Sequence, residues 1–191
     1  MSISLHKGQK VSLAKPDGGT LGKVRMGLGW DAVVRRGLFG RRRQSIDLDA
    51  SCLLFDPSGN LVDAVWFRQL RSKDGSVQHT GDNLTGAGQG DDESIDVDLV
   101  ALPAGIAQLV FTVNSFTGQD FSQIAGAFCR LVDEATGQEL ARYDLSGSGP
   151  HTAQIMAKLT RDGRDWSMTA IGATATGRTF QHLLPAVSAH L

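Results

Sequence analysis

Ser45-Ile46-Asp47-Leu48-Asp49-Ala50-Ser51-Cys52-Leu53-Leu54-Phe55 is the stretch on which the fold turns. Ile46, Leu48, Ala50, Cys52 and Leu54 fall on one side of an extended chain, and Asp47, Asp49, Ser51, Leu53 and Phe55 on the other. That period of two is the pattern of a β-strand, and it sets Asp47 and Asp49 on the same side of a sheet. Turn chemistry follows at Asp56-Pro57-Ser58-Gly59-Asn60, where proline presets φ. Leu61 to Leu70 then returns as a second strand, and Asp74-Gly75 marks a tight hairpin.

The same period recurs on either side. Upstream, Val24, Met26, Leu28 and Trp30 alternate with Arg25, Gly27 and Gly29, and Asp31 closes the run. Downstream, Ile95, Val97 and Leu99 alternate with Asp96 and Asp98, and Gln108 to Ser115 reads as another strand. Ala127 to Val132 and Glu139 to Leu145 flank a turn and make a hairpin, and Trp166, Met168 and Ala170 form a final strand. Thr152 to Thr160 sets Ile155, Met156 and Leu159 on one helical face and is the best helix candidate. Shorter helical turns are expected within 118–125 and 177–184. Without βα alternation or internal repeats, the expected architecture is all-β. It is a single domain over residues 1–191, an antiparallel β-sandwich of two sheets with a few short helices.

The bulk numbers narrow the function. Hydrophobic residues make up 41% of the 191 and charged residues 20%, as in an ordinary soluble domain. A net charge of −1 carries no basic excess, so nucleic acid is not an expected partner. Residues 1–10 lack the apolar core of a signal peptide, and no run approaches the roughly eighteen apolar residues of a spanning helix. Cys52 and Cys129 lie in separate apolar segments and are expected as buried, reduced thiols, which suits the cytoplasm. Trp30, Trp66 and Trp166 are expected in the core. Arg35, Arg36, Arg41, Arg42 and Arg43 bracket Gly37-Leu38-Phe39-Gly40. Like charges at this density repel, so a solvated loop is expected. The sharper alternative is contact with an anion, an acidic protein or lipid head groups, with Leu38 and Phe39 as anchors.

The most unusual chemistry lies in residues 79–93, His-Thr-Gly-Asp-Asn-Leu-Thr-Gly-Ala-Gly-Gln-Gly-Asp-Asp-Glu, which hold four carboxylates, four glycines and no basic residue other than His79. Such a loop repels itself unless a cation neutralises it, and carboxylate, amide, hydroxyl and carbonyl oxygens are what calcium selects. Asp82, Asp91, Asp92 and Glu93 supply charged ligands, with Asn83 and Thr85 adding neutral oxygens. Each ion needs about six to eight oxygens. The loop alone is short of a pair of ions, so Asp31 at a strand end and the Asp47/Asp49 strand are the expected reinforcements.

Other sites fit less well. Residues 82–93 begin with Asp and end with Glu like an EF-hand, but Leu84 and Gly86 stand where side-chain oxygens are required and Ala87 where glycine is. The glycines lack the Gly-Lys-Ser/Thr ending of a P-loop. Serines and histidines are scattered without a nucleophile elbow. His79 is expected as a scaffold residue.

Gly27-Leu28-Gly29-Trp30-Asp31, Asp47-Leu48-Asp49-Ala50-Ser51, Gly81-Asp82-Asn83-Leu84-Thr85-Gly86 and Gly90-Asp91-Asp92-Glu93 together resemble the hallmark motifs of the TerD family. Phe128-Cys129-Arg130 and Ala141-Arg142-Tyr143-Asp144-Leu145 fit it as well, and Asp63-Ala64-Val65-Trp66-Phe67-Arg68 resembles its TerZ type. The resemblance implies a cytoplasmic, calcium-binding β-sandwich of bacterial stress and tellurite-resistance systems, with other proteins of the same system as partners and similarity to calcium-dependent lipid-binding domains. It also implies a paired calcium site. Ala87 and Gln89 replace acidic residues common in the family, so the expected cofactor is one or two calcium ions. The leading expectation is a non-enzymatic binding module. The alternatives are a metal-dependent hydrolase using the acidic loop, and a calcium-dependent binder of a membrane surface.

Overall fold

The computed structural model describes residues 3–4, 6–13, 21–31, 33–37, 40–44, 47–81, 90–145 and 149–191. The strands, in chain order, are β1 (Ile3–Ser4), β2 (Lys10–Ser12), β3 (Lys23–Asp31), β4 (Val33–Gly37), β5 (Gly40–Gln44), β6 (Leu48–Phe55) and β7 (Leu61–Val65). They continue as β8 (Val77–His79), β9 (Glu93–Asp98), β10 (Gln108–Ser115), β11 (Ala125–Asp133), β12 (Gln138–Asp144), β13 (Ala153–Asp162) and β14 (Asp165–Ala175). Short helical turns at Phe121–Gln123 and Phe180–Leu183 and one helix, α1 (Leu184–Ser188), complete the described elements.

Two six-stranded sheets result, ordered β1-β12-β11-β3-β9-β8 and β2-β14-β13-β10-β6-β7. Pairing within them is antiparallel except for β1, which runs parallel to β12. The alternation of β6 is realised on two fronts. Leu48, Ala50, Cys52 and Leu54 join Val24, Met26, Leu28 and Trp30 of β3 in the core between the sheets. Leu53 and Phe55 face outward, under Phe180, Leu183 and Val187 of the C-terminal segment. Every residue of β6 is therefore buried. Trp30 and Trp166 sit in the main core, and Trp66 is half-buried against the second cluster.

Three expectations are corrected. Thr152 to Thr160 is not a helix but most of β13. Its sheet is covered on both sides, so Ile155 packs outward while Met156, Ala157 and Leu159 pack inward, and a bulge after Ile155 shifts the register. A strand buried on both faces loses polar alternation, and its apolar run mimics a helical stripe. Leu61 to Leu70 is a strand only to Val65, beyond which Trp66 and Gln69 bridge a tight turn. The arginine-rich segment is a two-stranded hairpin rather than a loop. β4 pairs β5 with Arg35 opposite Arg42, Arg36 opposite Arg41 and Arg43 opposite Val34. Gly37 pairs Gly40 across the hairpin end, and β-branched Val33 and Val34 favour the extended chain. Leu38 and Phe39 lie outside the described residues.

Cys52 and Cys129 are buried and reduced, one in each sheet. Burial raises both thiols, Cys129 to about 12 and Cys52 further. Neither should react with Ellman's reagent at pH 8 in the native protein, and both should react once urea unfolds it. Stoichiometric labelling of the folded chain is the contrary outcome.

Candidate metal-binding rim

The antiparallel ladders bring one set of strand ends together. Leu28 near the end of β3 pairs Glu93 at the start of β9, and His79 at the end of β8 pairs Ile95. In the other sheet, Asp49 near the start of β6 pairs Asn114 near the end of β10. The two ends are joined by Glu93, whose Oε2 accepts the Ala50 N–H at 2.8 Å across the sandwich. Ala50 lies two residues before Cys52, the first β6 residue paired with β7, so a side chain from the opposite sheet serves its amide. His79 stands beside the same oxygen, with Nε2 at 3.4 Å, and both side chains are fully buried. The Gly81 N–H donates to Nδ1 of His79 at 3.1 Å, which puts the imidazole proton on Nε2, facing Glu93. His79 is thus the scaffold residue expected, and it ties the entry of the acidic segment to its exit.

The sequence-predicted ligands divide between the sheets. Asp31 is exposed at the end of β3, over Gly126 of β11, where a Cβ would stand 2.2 Å from its Oδ2. Asp92 follows β3 closely: its N–H donates to Leu28 O at 2.8 Å, and its Oδ2 accepts the Trp30 N–H at 3.0 Å. Asp47 is half-buried just before β6, and its carbonyl accepts the Phe116 N–H at 3.1 Å. Asp49 is buried on the outward side of β6 opposite Asn114, whose Nδ2 donates to Gly177 O at 3.1 Å. Glu93 points between the sheets. Asp82, Asn83 and Thr85 lie outside the described residues, as do Ala87 and Gln89. The backbones of Arg35, Arg36, Arg41, Arg42 and Arg43 lie in the hairpin that leaves this rim after Asp31 and returns to it before Asp47.

Asp91 is placed differently. It lies on the outward face of the first sheet, where Arg130 Nε donates to Oδ1 at 2.7 Å and Arg130 Nη2 to Oδ2 at 3.1 Å. These bonds to Asp91 are the largest of the causes that raise the Arg130 guanidinium above its usual range. Sequence reasoning missed Arg130 and the notch that admits its partner. The signal was available in Gly27 and Gly29, two glycines on the outward face of a strand. A Cβ at Gly27 would meet Asp91 Cγ at 2.3 Å, and one at Gly29 the Phe128 ring at 2.5 Å.

Among the described residues, no three His, Cys, Asp or Glu side chains stand close enough together to hold an ion. Asp31 and Asp92 of the first sheet and Asp47 and Asp49 of the second are hard oxygen donors of the type calcium takes. No helix among the described residues is long and apolar enough to cross a membrane.

The rim generates two predictions. Glu93→Ala leaves the Ala50 N–H buried without its acceptor and empties the space beside His79, which together should cost roughly 3–5 kcal/mol. Glu93→Gln keeps an acceptor and should cost roughly 1–3 kcal/mol, both read by urea unfolding in EDTA. His151, buried and stacked on Phe121 near this rim, has its imidazole held below the usual range chiefly by burial. The unfolded chain therefore takes up that proton first as pH falls. Stability should be constant in this respect above about pH 6.5 and decline below it until the folded imidazole also titrates. His151→Gln should flatten the urea midpoint between about pH 7 and 5; an unchanged slope is the contrary result.

The comparisons with known proteins agree along the whole chain. The TerD domain model matches residues 1–185. Tellurium resistance protein TerZ of Serratia marcescens is 49% identical over 184 residues, covering 95% of this chain and 94% of the relative. General stress protein 16U of Bacillus subtilis (strain 168) is 43% identical over 185 residues, covering 93% of each chain. The crystal structure of a homologue of telluride resistance protein (TerD) from Streptomyces coelicolor A3(2) superposes with a TM-score of 0.72 at 20% identity, covering 88% of this chain and 98% of that one. That likeness bears on the fold.

Proposed function

The chain belongs to the TerD family of tellurium-resistance and general stress proteins, and from that premise we propose that it is a non-enzymatic calcium-binding module of the bacterial cytoplasm. The reading is carried by one observation. The end of β3 and the start of β6 meet at one rim with the start of β9, and Asp31, Asp92, Asp47 and Asp49 lie at or next to those strand ends. Asp31 and Asp92 from the first sheet, Asp47 and Asp49 from the second, and Asp82, Asn83 and Thr85 from the segment provide the oxygens for one or two ions. Glu93 contributes by holding the two sheets in register at that rim.

The mechanism is local. Without a cation, carboxylates gathered at the rim repel one another. Ion–oxygen contacts replace that repulsion and present the rim as a surface to other proteins of the same stress system. Binding only to the folded state also raises stability by mass action. Calcium suits such a cage better than magnesium, which demands a near-ideal octahedron and gives up its waters reluctantly.

Calcium at about a hundredfold above Kd should raise the melting temperature by roughly 5–10 °C, and magnesium by less. Asp82→Ala should remove most of that shift while leaving the melting temperature in EDTA unchanged. A flat response to millimolar calcium refutes the calcium reading.

A further inference from the structure

Asp91 and Asp92 are neighbours that do different things. Asp92 turns to the end of β3, where the Trp30 N–H holds it. Asp91 turns onto the face of the sheet, into the notch left by Gly27. There both of its oxygens are taken in a two-point bond from Arg130, and Arg25 Nε lies 3.8 Å from Oδ2. Arg130 is itself steadied by Glu139, which accepts from Nη1 at 3.3 Å.

We infer that Asp91 is a positioning residue rather than a metal ligand: the Arg130–Asp91 pair, seated over Gly27, latches the C-terminal end of the acidic segment and so presents Asp92 at the rim. Two charge-assisted bonds in fork geometry are among the strongest a carboxylate makes with protein, and a cation would have to break both to recruit Asp91. The side chain is only 10% exposed, so competing water does little to weaken them. Gly27 is essential to the arrangement. Any side chain there would occupy the space of the Asp91 carboxylate, whereas the strand itself makes no demand for glycine, since Gly27 lacks a positive φ.

The two roles give opposite signs. If Asp91 were a ligand masked by Arg130, then Arg130→Gln would release it and calcium would bind more tightly. If Asp91 is a latch, Arg130→Gln loosens the segment and calcium binds more weakly. The affinity arm of the test rests on the calcium reading above; the exchange arm does not.

Calorimetric titration of the full chain with calcium should show about a tenfold loss of affinity in Arg130→Gln, Asp91→Asn and Gly27→Ala alike. The double variant Arg130→Gln/Asp91→Asn should be no worse than either single, because both break one link. Gly27→Ala displaces Asp91 without altering any charge, and if it does not fold, the other two variants still decide. Affinity in Arg130→Gln equal to or above that of the wild type overturns the latch. Hydrogen exchange in EDTA provides the independent readout. Amides of residues 90–92 should exchange faster in Arg130→Gln than in the wild type while those of β10 stay unchanged. If the wild type binds no calcium, the calcium reading fails. The latch then stands on that local exchange and falls if residues 90–92 are unaffected.

Discussion

A carboxylate buried between two sheets must be fully engaged, and the geometry at this end of the sandwich depends on how Glu93 meets that demand. Its Oε2 accepts the Ala50 N–H of the opposite sheet and faces the Nε2–H of His79. The cost of burying the charge is offset only if these partners stay in place, so the start of β9, the end of β8 and the start of β6 are held at one spacing. Leu28 pairs with Glu93, so the end of β3 is held there too. The rim is thus not an edge where strands happen to stop. It is fixed by an interaction that tolerates little displacement.

The sandwich around this tie is asymmetric. The outward face of the second sheet is covered by the C-terminal segment, and Leu53, Phe55, Val110 and Ile155 pack beneath Phe180, Leu183 and Val187. The outward face of the first sheet instead carries charges and two missing side chains. Arg25 and Arg130 surround Asp91 over Gly27, while Phe128 fills the space over Gly29 with the Arg142 guanidinium 3.7 Å above its ring. One sheet is therefore a closed layer buried on both sides. The other has an open face, organised by ion pairs that anchor the exit of the acidic segment.

This asymmetry explains what the sequence disclosed. β3 lies in the sheet with an open outward face, so its period of two is visible as Val24, Met26, Leu28 and Trp30 against Arg25, Gly27 and Gly29. β6 and β13 lie in the doubly covered sheet. β6 kept enough alternation to be recognised because Asp47, Asp49 and Ser51 interrupt its outward side. β13 offers Ile155, Met156 and Ala157 in succession, and periodicity alone cannot separate such a run from a helical stripe. The arginine hairpin was misread because charge density outweighed the β-branched Val33 and Val34. At the rim, residue type identified the carboxylates, but it carried no information about which were occupied by the protein itself. Arg130 is 39 residues from Asp91, and only the β3–β11 pairing brings them together.

That last point changes how the acidic segment is counted. Read along the chain, residues 79–93 hold four carboxylates with no cationic neighbour other than His79. In the fold, Asp91 is bound by Arg130, and Glu93 accepts the Ala50 N–H beside His79. Two of the four are thereby committed to holding the strand ends, while Asp92, whose Oδ2 accepts the Trp30 N–H, lies with Asp31 near the end of β3. Calcium affinity depends on the number of charged ligands and on the rigidity of their frame. On the calcium reading proposed above, charge is exchanged for rigidity, since Asp91 and Glu93 fix the frame instead of coordinating. On that reading, a site at this rim rests on a frame fixed by Arg130 and Glu93. Its strength then depends on the stability of the sheets behind it as much as on the acidic sequence in front.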